Sequence, residues 1–173
     1  GSSLLSLPVE GVTMAELKAV TRALLASGAP IQDMNTVRKH LSRIQGGRLA
    51  GASRARVLAL VISDVTGDDP THIGSGPCSP DPTTYSDTLG ILERFRVDLP
   101  PGVSRHLARG VAGEEPESPK PGHPGFAKVE VKVIATAHRS LLAAAELCRR
   151  NGVTPLVMGD SVTGESCEVA KVF

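Results

Sequence analysis

Tryptophan is absent from this chain of 173 residues, and its only other aromatics are one tyrosine and three phenylalanines. A core built from it is therefore aliphatic, and a base-stacking platform for single-stranded nucleic acid is excluded. An excess of one charge is lacking too. Nineteen lysines and arginines against eighteen acids leave a net charge of +1. That gives no global attraction to nucleic acid or to an anionic membrane. No apolar run reaches the roughly 20 residues of a membrane-spanning helix, and no signal peptide stands at the start. The cysteines, Cys78, Cys148 and Cys167, are odd in number and far apart, with no CxxC pair. They read as thiols of a reducing compartment, so the cytoplasm is the expected location. The five histidines show no metal-ligand spacing. At this length the chain is one domain, or a piece of a larger one, with room for a real core.

What is present concentrates between Val57 and Pro82. Val57 to Ile62 is an unbroken apolar run, half of it β-branched, and suits a strand buried on both faces of a parallel sheet. Ser63, Asp64, Asp68 and Asp69 follow at once, with Gly67 as the bend. Open α/β sheets place their ligands at the carboxyl ends of such strands. Closely spaced carboxylates repel one another unless a cation or base lies between them, so Mg²⁺ and phosphate handling is one reading. A solvated turn is the other, because Asp, Gly and Pro are also turn residues. The loop exceeds what mere connection needs, which favours a ligand role for Asp64. Asp69 reads as a turn residue.

Thr13-Met14-Ala15-Glu16 is a capping box and opens a helix to about Ser27, closed by Gly28. A second helix follows Pro30. Ile31, Met34, Val37, Leu41 and Ile44 mark its buried face over 31–44, and Gly46-Gly47 ends it. Asn35, Lys39 and Ser42 lie beside one another on the flank of that stripe, with Arg38 at the boundary. From Met34 to Ser63 the chain has no acid but carries Arg38, Lys39, Arg43, Arg48, Arg54 and Arg56. A basic segment that feeds an acidic loop suits an anionic substrate beside a metal-bound phosphate. The bland alternative is a set of solvated charges, and for Lys39 a ligand contact and a surface charge stand level.

Thr83 or Thr84 caps a helix to about Phe95, and a short helix spans Val103 to Arg109. The stretch of about 111–127, with four prolines, reads as an exposed, mobile insertion. Val129–Ala135 as a strand, His138–Asn151 as a helix and Val153–Met158 as a strand make a βαβ unit. A last helix starts near Thr163. The fold class is α/β, a Rossmann-like parallel sheet flanked by helices, incomplete at both ends.

The strings Gly1-Ser2-Ser3-Leu4-Leu5, Ile31-Gln32-Asp33-Met34-Asn35-Thr36-Val37-Arg38-Lys39-His40-Leu41-Ser42, Gly46-Gly47-Arg48-Leu49-Ala50, Ser63-Asp64-Val65-Thr66-Gly67-Asp68-Asp69, Ile73-Gly74-Ser75-Gly76-Pro77 and Pro80-Asp81-Pro82-Thr83-Thr84 occur in this order. Together they resemble the type II glycerate kinases, the glycerate 2-kinase family with a MOFRL domain. The resemblance implies phosphorylation of D-glycerate to 2-phosphoglycerate with ATP and Mg²⁺. It implies a site where the 63–82 loop faces helix 31–44, and a chain that is part of the α/β domain and lacks the C-terminal domain, with activity of this part alone left open. A homodimer is a further expectation. Family members have often carried a hydroxypyruvate reductase label, but no G-x-G-x-x-G follows a strand here. Relatives usually carry Gly-Ser-Asn where this chain has Ala135-Thr136-Ala137, which removes an asparagine able to cap the next helix.

Phosphoryl transfer asks a protein for alignment and charge neutralisation. The resemblance puts Lys39 on the transferred phosphate or the glycerate carboxylate, with Arg38 as companion, and Asn35 and Ser63 on substrate. Asp64 and Asp68 share the Mg²⁺ and the orientation of the attacking hydroxyl. Ser2, Ser3, Ser75 and Gly76 offer hydroxyls and backbone N–H groups to the nucleotide phosphates. His40 and His72 read as structural or solvated. A kinase for another small hydroxy acid, and a non-catalytic binding or oligomerisation module, remain as alternatives.

Overall fold

The computed structural model describes residues 5–172. Ser2, Ser3 and Phe173 lie outside the described residues. The chain forms two compact units: Gly1–Ala59 with Pro70–Val131, and Leu60–Asp69 with Lys132–Phe173. The elements in order are α1 (Met14–Ala26), α2 (Ile31–His40), α3 (Arg48–Gly51), β1 (Val57–Ile62), a 3₁₀ turn (Ile73–Ser75), α4 (Tyr85–Arg94), α5 (Pro101–Val111), a second 3₁₀ turn (Pro124–Phe126), β2 (Val129–Ala135), α6 (Ala137–Arg150) and α7 (Ser166–Ala170). β1 and β2 pair as a two-stranded sheet. The pairing is parallel, for Val57 donates to the Lys128 carbonyl and Ser63 to that of Ala135. The α/β class expected from the sequence is therefore the one observed.

In the first unit the core is aliphatic apart from Tyr85. Val20 and Leu24 of α1, Val37 of α2, Leu92 of α4 and Leu107 of α5 are at most 2% exposed. The helix ends explain how these faces are aimed. Thr13 forms the expected capping box with Glu16. The other carboxylate oxygen of Glu16 accepts the N–H of Gly102 at 2.9 Å. One side chain therefore caps α1 and also the proline-started α5, which has no side-chain cap of its own. Thr84 and Asp87 make a second capping box on α4. Gly110 lets α5 close on α4, since a Cβ there would stand 2.4 Å from the Tyr85 ring.

Several expectations need correction. α2 ends at His40 and not at Ile44. The hydroxyl of Ser42 accepts the N–H groups of Ile44 and Gln45, so local turn chemistry replaces the next helical turn. Residues 111–127 are largely exposed, as expected, but they are tied to the rest of the first unit. Ser118 is 1% exposed, and Glu117 accepts the backbone N–H of Tyr85, the first residue of α4. β1 is not buried on both faces, because Leu58, Leu60 and Ile62 are 54, 59 and 71% exposed. An apolar run is buried twice only where cover lies on both sides.

In the second unit Thr136, and not the following residue, caps α6 by accepting the N–H of Arg139. Threonine thus does the work that the missing asparagine would have done. Residues 153–158 make no strand, so the βαβ unit is not completed among the described residues. Leu156 there is 84% exposed. α7 starts at Ser166, after Gly164 at φ +140°, and Glu165 gives it no side-chain cap. Among the described residues no helix is long and apolar enough to cross a membrane.

The helical glycines Gly90 and Gly110 give opposite expectations. Gly90 of α4 has nothing within 4 Å of an added Cβ. Gly90→Ala should therefore stabilise the protein by up to about 1 kcal/mol through helix propensity. Gly110→Ala drives a methyl into the buried Tyr85 ring and should destabilise by about 1–3 kcal/mol. Urea midpoints that move in the same direction for both variants would contradict this packing.

Candidate functional site

The sequence-marked residues of the first unit meet where α2 packs on residues 70–82. Lys39 is 1% exposed, and its ammonium lies 3.2 Å from Asp81 Oδ1. Asp81 Oδ1 also accepts the N–H of Thr83 at 3.1 Å and its hydroxyl at 2.7 Å. The other oxygen, Oδ2, accepts the Ser118 hydroxyl at 2.8 Å and has His40 Nε2 at 3.9 Å. Lys39 is thus neither a surface charge nor a cation open to solvent. It is the counter-charge of a buried carboxylate, a partner the sequence reading did not identify.

Burial pushes the Asp81 carboxyl up, but hydrogen bonds from Thr83 and Ser118 and the charge of Lys39 overcome it, so the net direction is down. His40 lies deeper in the same network. Its Nδ1 is 3.0 Å from the Thr36 carbonyl and its Nε2 is 3.3 Å from Glu117. Burial lowers its pKa, against the pull of those acceptors toward the charged ring. Glu117 in turn holds Lys120, whose ammonium donates to the Thr83 carbonyl.

Asn35 makes a second junction. Its Nδ2 donates to the His72 carbonyl at 3.2 Å, and its Oδ1 accepts the Ser75 hydroxyl at 3.0 Å. Arg38 Nη1 lies 3.4 Å from the same oxygen. No carboxylate among the described residues pairs with Arg38, and burial pulls its guanidinium below the ordinary value. Ser75 sits at φ +60° between two glycines of the same sign. Its hydroxyl is spent on Asn35, and a Cβ on Gly76 would meet the Thr71 carbonyl at 2.8 Å. Gly46 and Gly47 donate to the carbonyls of Ser75 and Gly76. The close backbone approach at 75–76 is thus to the protein's own chain.

In the second unit Ser63 is 4% exposed, and its hydroxyl closes a local turn with Val65. Asp64 is exposed, and Asp68 is half-buried in the left-handed region at φ +54°. The N–H of Asp68 donates to the Val65 carbonyl, which closes a tight turn over residues 65–68 directly after Asp64. No cluster of three or more ligating side chains exists among the described residues.

A family model described as a domain of unknown function, DUF4147, matches residues 1–108. An Agrobacterium vitis protein provisionally named a hydroxypyruvate reductase is 48% identical over all of this chain, which covers 43% of that protein. The glycerate 2-kinase of Pyrococcus horikoshii is 40% identical over 96% of this chain, which covers 38% of that protein. The crystal structure of a glycerate kinase from Thermotoga maritima superposes with a TM-score of 0.71 at 40% identity, over 87% of this chain and 34% of that one. The chain therefore spans less than half the length of these relatives.

Removing one member of a buried ion pair strands the other, a cost of about 3–5 kcal/mol. Lys39→Met and Asp81→Asn should each cost that much in urea unfolding, and the double variant clearly less than the sum. Additive losses would deny the pair. Acid should act in two windows. His40, with its folded pKa lowered, contributes stability that is complete above its ordinary value of 6.5 and is lost as pH falls through the lower folded value. Asp81 contributes stability that is complete above 3.8 and is lost as pH falls through its own lower value. Asp81→Asn should shrink the second loss and keep the first.

The family-model match over residues 1–108 places this chain in the DUF4147 family.

Proposed function

We propose that the protein phosphorylates D-glycerate to 2-phosphoglycerate in the cytoplasm, using ATP and Mg²⁺. The observation that carries this reading is the 40% identity, spread over 96% of the chain, with a protein named glycerate 2-kinase. Two features of the units support it. In the first, Arg38 is a partly buried cation without a counter-charge among the described residues, which suits the carboxylate of a small acid. Asn35 holds that guanidinium in place and keeps one N–H for the substrate. In the second, Asp64 and Asp68 present two carboxylates from one short loop. Mg²⁺ is commonly bound by one or two carboxylates together with substrate phosphates, and not by an all-protein cage. Two aspartates in one short loop fit that mode. When bound, the ion would neutralise charge on the phosphates. Ser63 acts by shaping this turn, and Ser75 and Gly76 by fixing the 70–82 loop. Lys39 serves as a positioning residue through Asp81.

The name carried by the Agrobacterium relative suggests a reductase as the competing reading. The test runs both in the natural chain that carries this sequence. ADP release is followed with D-glycerate and Mg–ATP, and NADH and NADPH oxidation with hydroxypyruvate. The expected result is ADP release that EDTA abolishes, without nicotinamide oxidation. Asp64→Asn and Asp68→Asn should each lower kcat by about 100-fold or more. Asparagine tolerates the left-handed backbone at position 68, so folding is spared. Undiminished turnover in both variants, or activity only with nicotinamide, would overturn the proposal. ADP release with other hydroxy acids but not with D-glycerate would move the substrate and keep the chemistry.

A further inference from the structure

His72 carries a buried side-chain nitrogen, Nδ1, with no hydrogen-bond partner among the described residues. A buried polar atom left unpaired costs about 1–3 kcal/mol, so one standing alone calls for a specific explanation. Its surroundings are otherwise well paired. The carbonyl of His72 itself accepts both Asn35 Nδ2 and the N–H of Ser75.

Two further features belong to the same corner. Arg38 is a half-buried cation with no carboxylate partner among the described residues. Gly74, Ser75 and Gly76 follow His72 in the left-handed region, at φ +59°, +60° and +58°. For a serine that backbone is strained by about 1–3 kcal/mol and persists only where its surroundings hold it. The Asn35 amide and the N–H of Gly46 hold it, and the same amide meets the His72 carbonyl, the Ser75 hydroxyl and the Arg38 guanidinium. A cation, a strained turn and the backbone of the residue that carries the orphan nitrogen are thus joined through one side chain.

A guanidinium takes an oxyanion, and an imidazole nitrogen takes or gives one hydrogen bond according to its tautomer. A carboxylate with a hydroxyl beside it satisfies both groups. We propose that His72 is a specificity-determining ligand contact: Arg38 holds the carboxylate of a small hydroxy acid, and His72 Nδ1 bonds its hydroxyl. The inference rests on the hydroxy-acid reading of the previous subsection and adds the residue that distinguishes such an acid from a plain one.

The test compares D-glycerate with propionate, which has the carboxylate and no hydroxyl, and with inorganic phosphate. Binding is measured by calorimetry and by NMR of histidine-labelled protein. D-Glycerate should move the His72 ring resonances and bind about 10-fold or more tighter than propionate, as the loss of one such hydrogen bond implies. His72→Leu should bring that ratio close to one. His72→Asn, whose amide can occupy the place of Nδ1, should restore part of it. Arg38→Gln should weaken both acids alike. A merely structural histidine would change the thermal midpoint and leave the ratio alone. An unchanged ratio in His72→Leu, a still His72 resonance, or a response to phosphate alone overturns the inference. D-Glycerate discrimination without ADP release leaves it standing while the kinase reading fails, and ADP release with an unmoved His72 does the reverse.

Discussion

Asp81 carries a charge into the interior of the first unit, and a charge there persists only if every lone pair is met. Lys39, Thr83 and Ser118 meet them. These three come from α2, from the turn before α4 and from the 111–127 segment. Satisfying one carboxylate therefore fixes three stretches that are distant in sequence. The backbone adds to this, since the N–H of Asp81 donates to the Pro119 carbonyl. A proline-rich stretch that could not order itself by hydrophobic burial is ordered by polar contacts instead. Exposed ion pairs would not accomplish that, because solvent screens them to little net value. This pair is 1% and 0% exposed.

The same economy shapes the helix termini. Glu16 serves the starts of α1 and α5, and Glu117 serves the start of α4 together with His40 and Lys120. A helix start leaves N–H groups unpaired, and a carboxylate there also suits the helix dipole. α5 begins with Pro100-Pro101, which offers no capping side chain, so its cap is borrowed from 86 residues away. The helices that build the core are positioned by carboxylates as well as by apolar stripes.

What the sequence made legible was local. The capping box at Thr13, a threonine cap at 83 or 84 and the limits of β2 depend on residues within a few positions of each other. So does the acidic turn after β1. What it hid was any feature whose partner lies far along the chain. Lys39 sits on a helix flank where its neighbours in sequence suggest a ligand, yet its partner is 42 residues on. The 111–127 segment looked unable to order because composition counts apolar area and cannot count Ser118 on Asp81. Residues 153–158 have strand propensity, but strand formation needs an edge to pair with, and propensity does not supply one. Ser42 did carry a local signal, as a short hydroxyl side chain able to close a turn before Gly46-Gly47.

Charge order along the chain also differs from charge order in space. Of the basic run after Met34, Lys39 is neutralised by Asp81 and Arg48 spends a guanidinium N–H on the Lys39 carbonyl at 2.7 Å. Arg56 pairs at the surface with Glu130. Arg38 differs from Lys39 and Arg56 in being half-buried with no counter-charge among the described residues, and from Arg48 in that its guanidinium is not spent on backbone carbonyls. One residue of helix is about 100° of rotation, enough to turn Lys39 into the core and leave Arg38 at its rim. A buried cation that is already matched has little to offer an arriving anion, whereas an unmatched one gains by taking it. Any anion chemistry of α2 therefore falls to Arg38. The Lys39–Asp81 pair, together with the buried Met34 and Val37, holds the rotation of the helix that carries both.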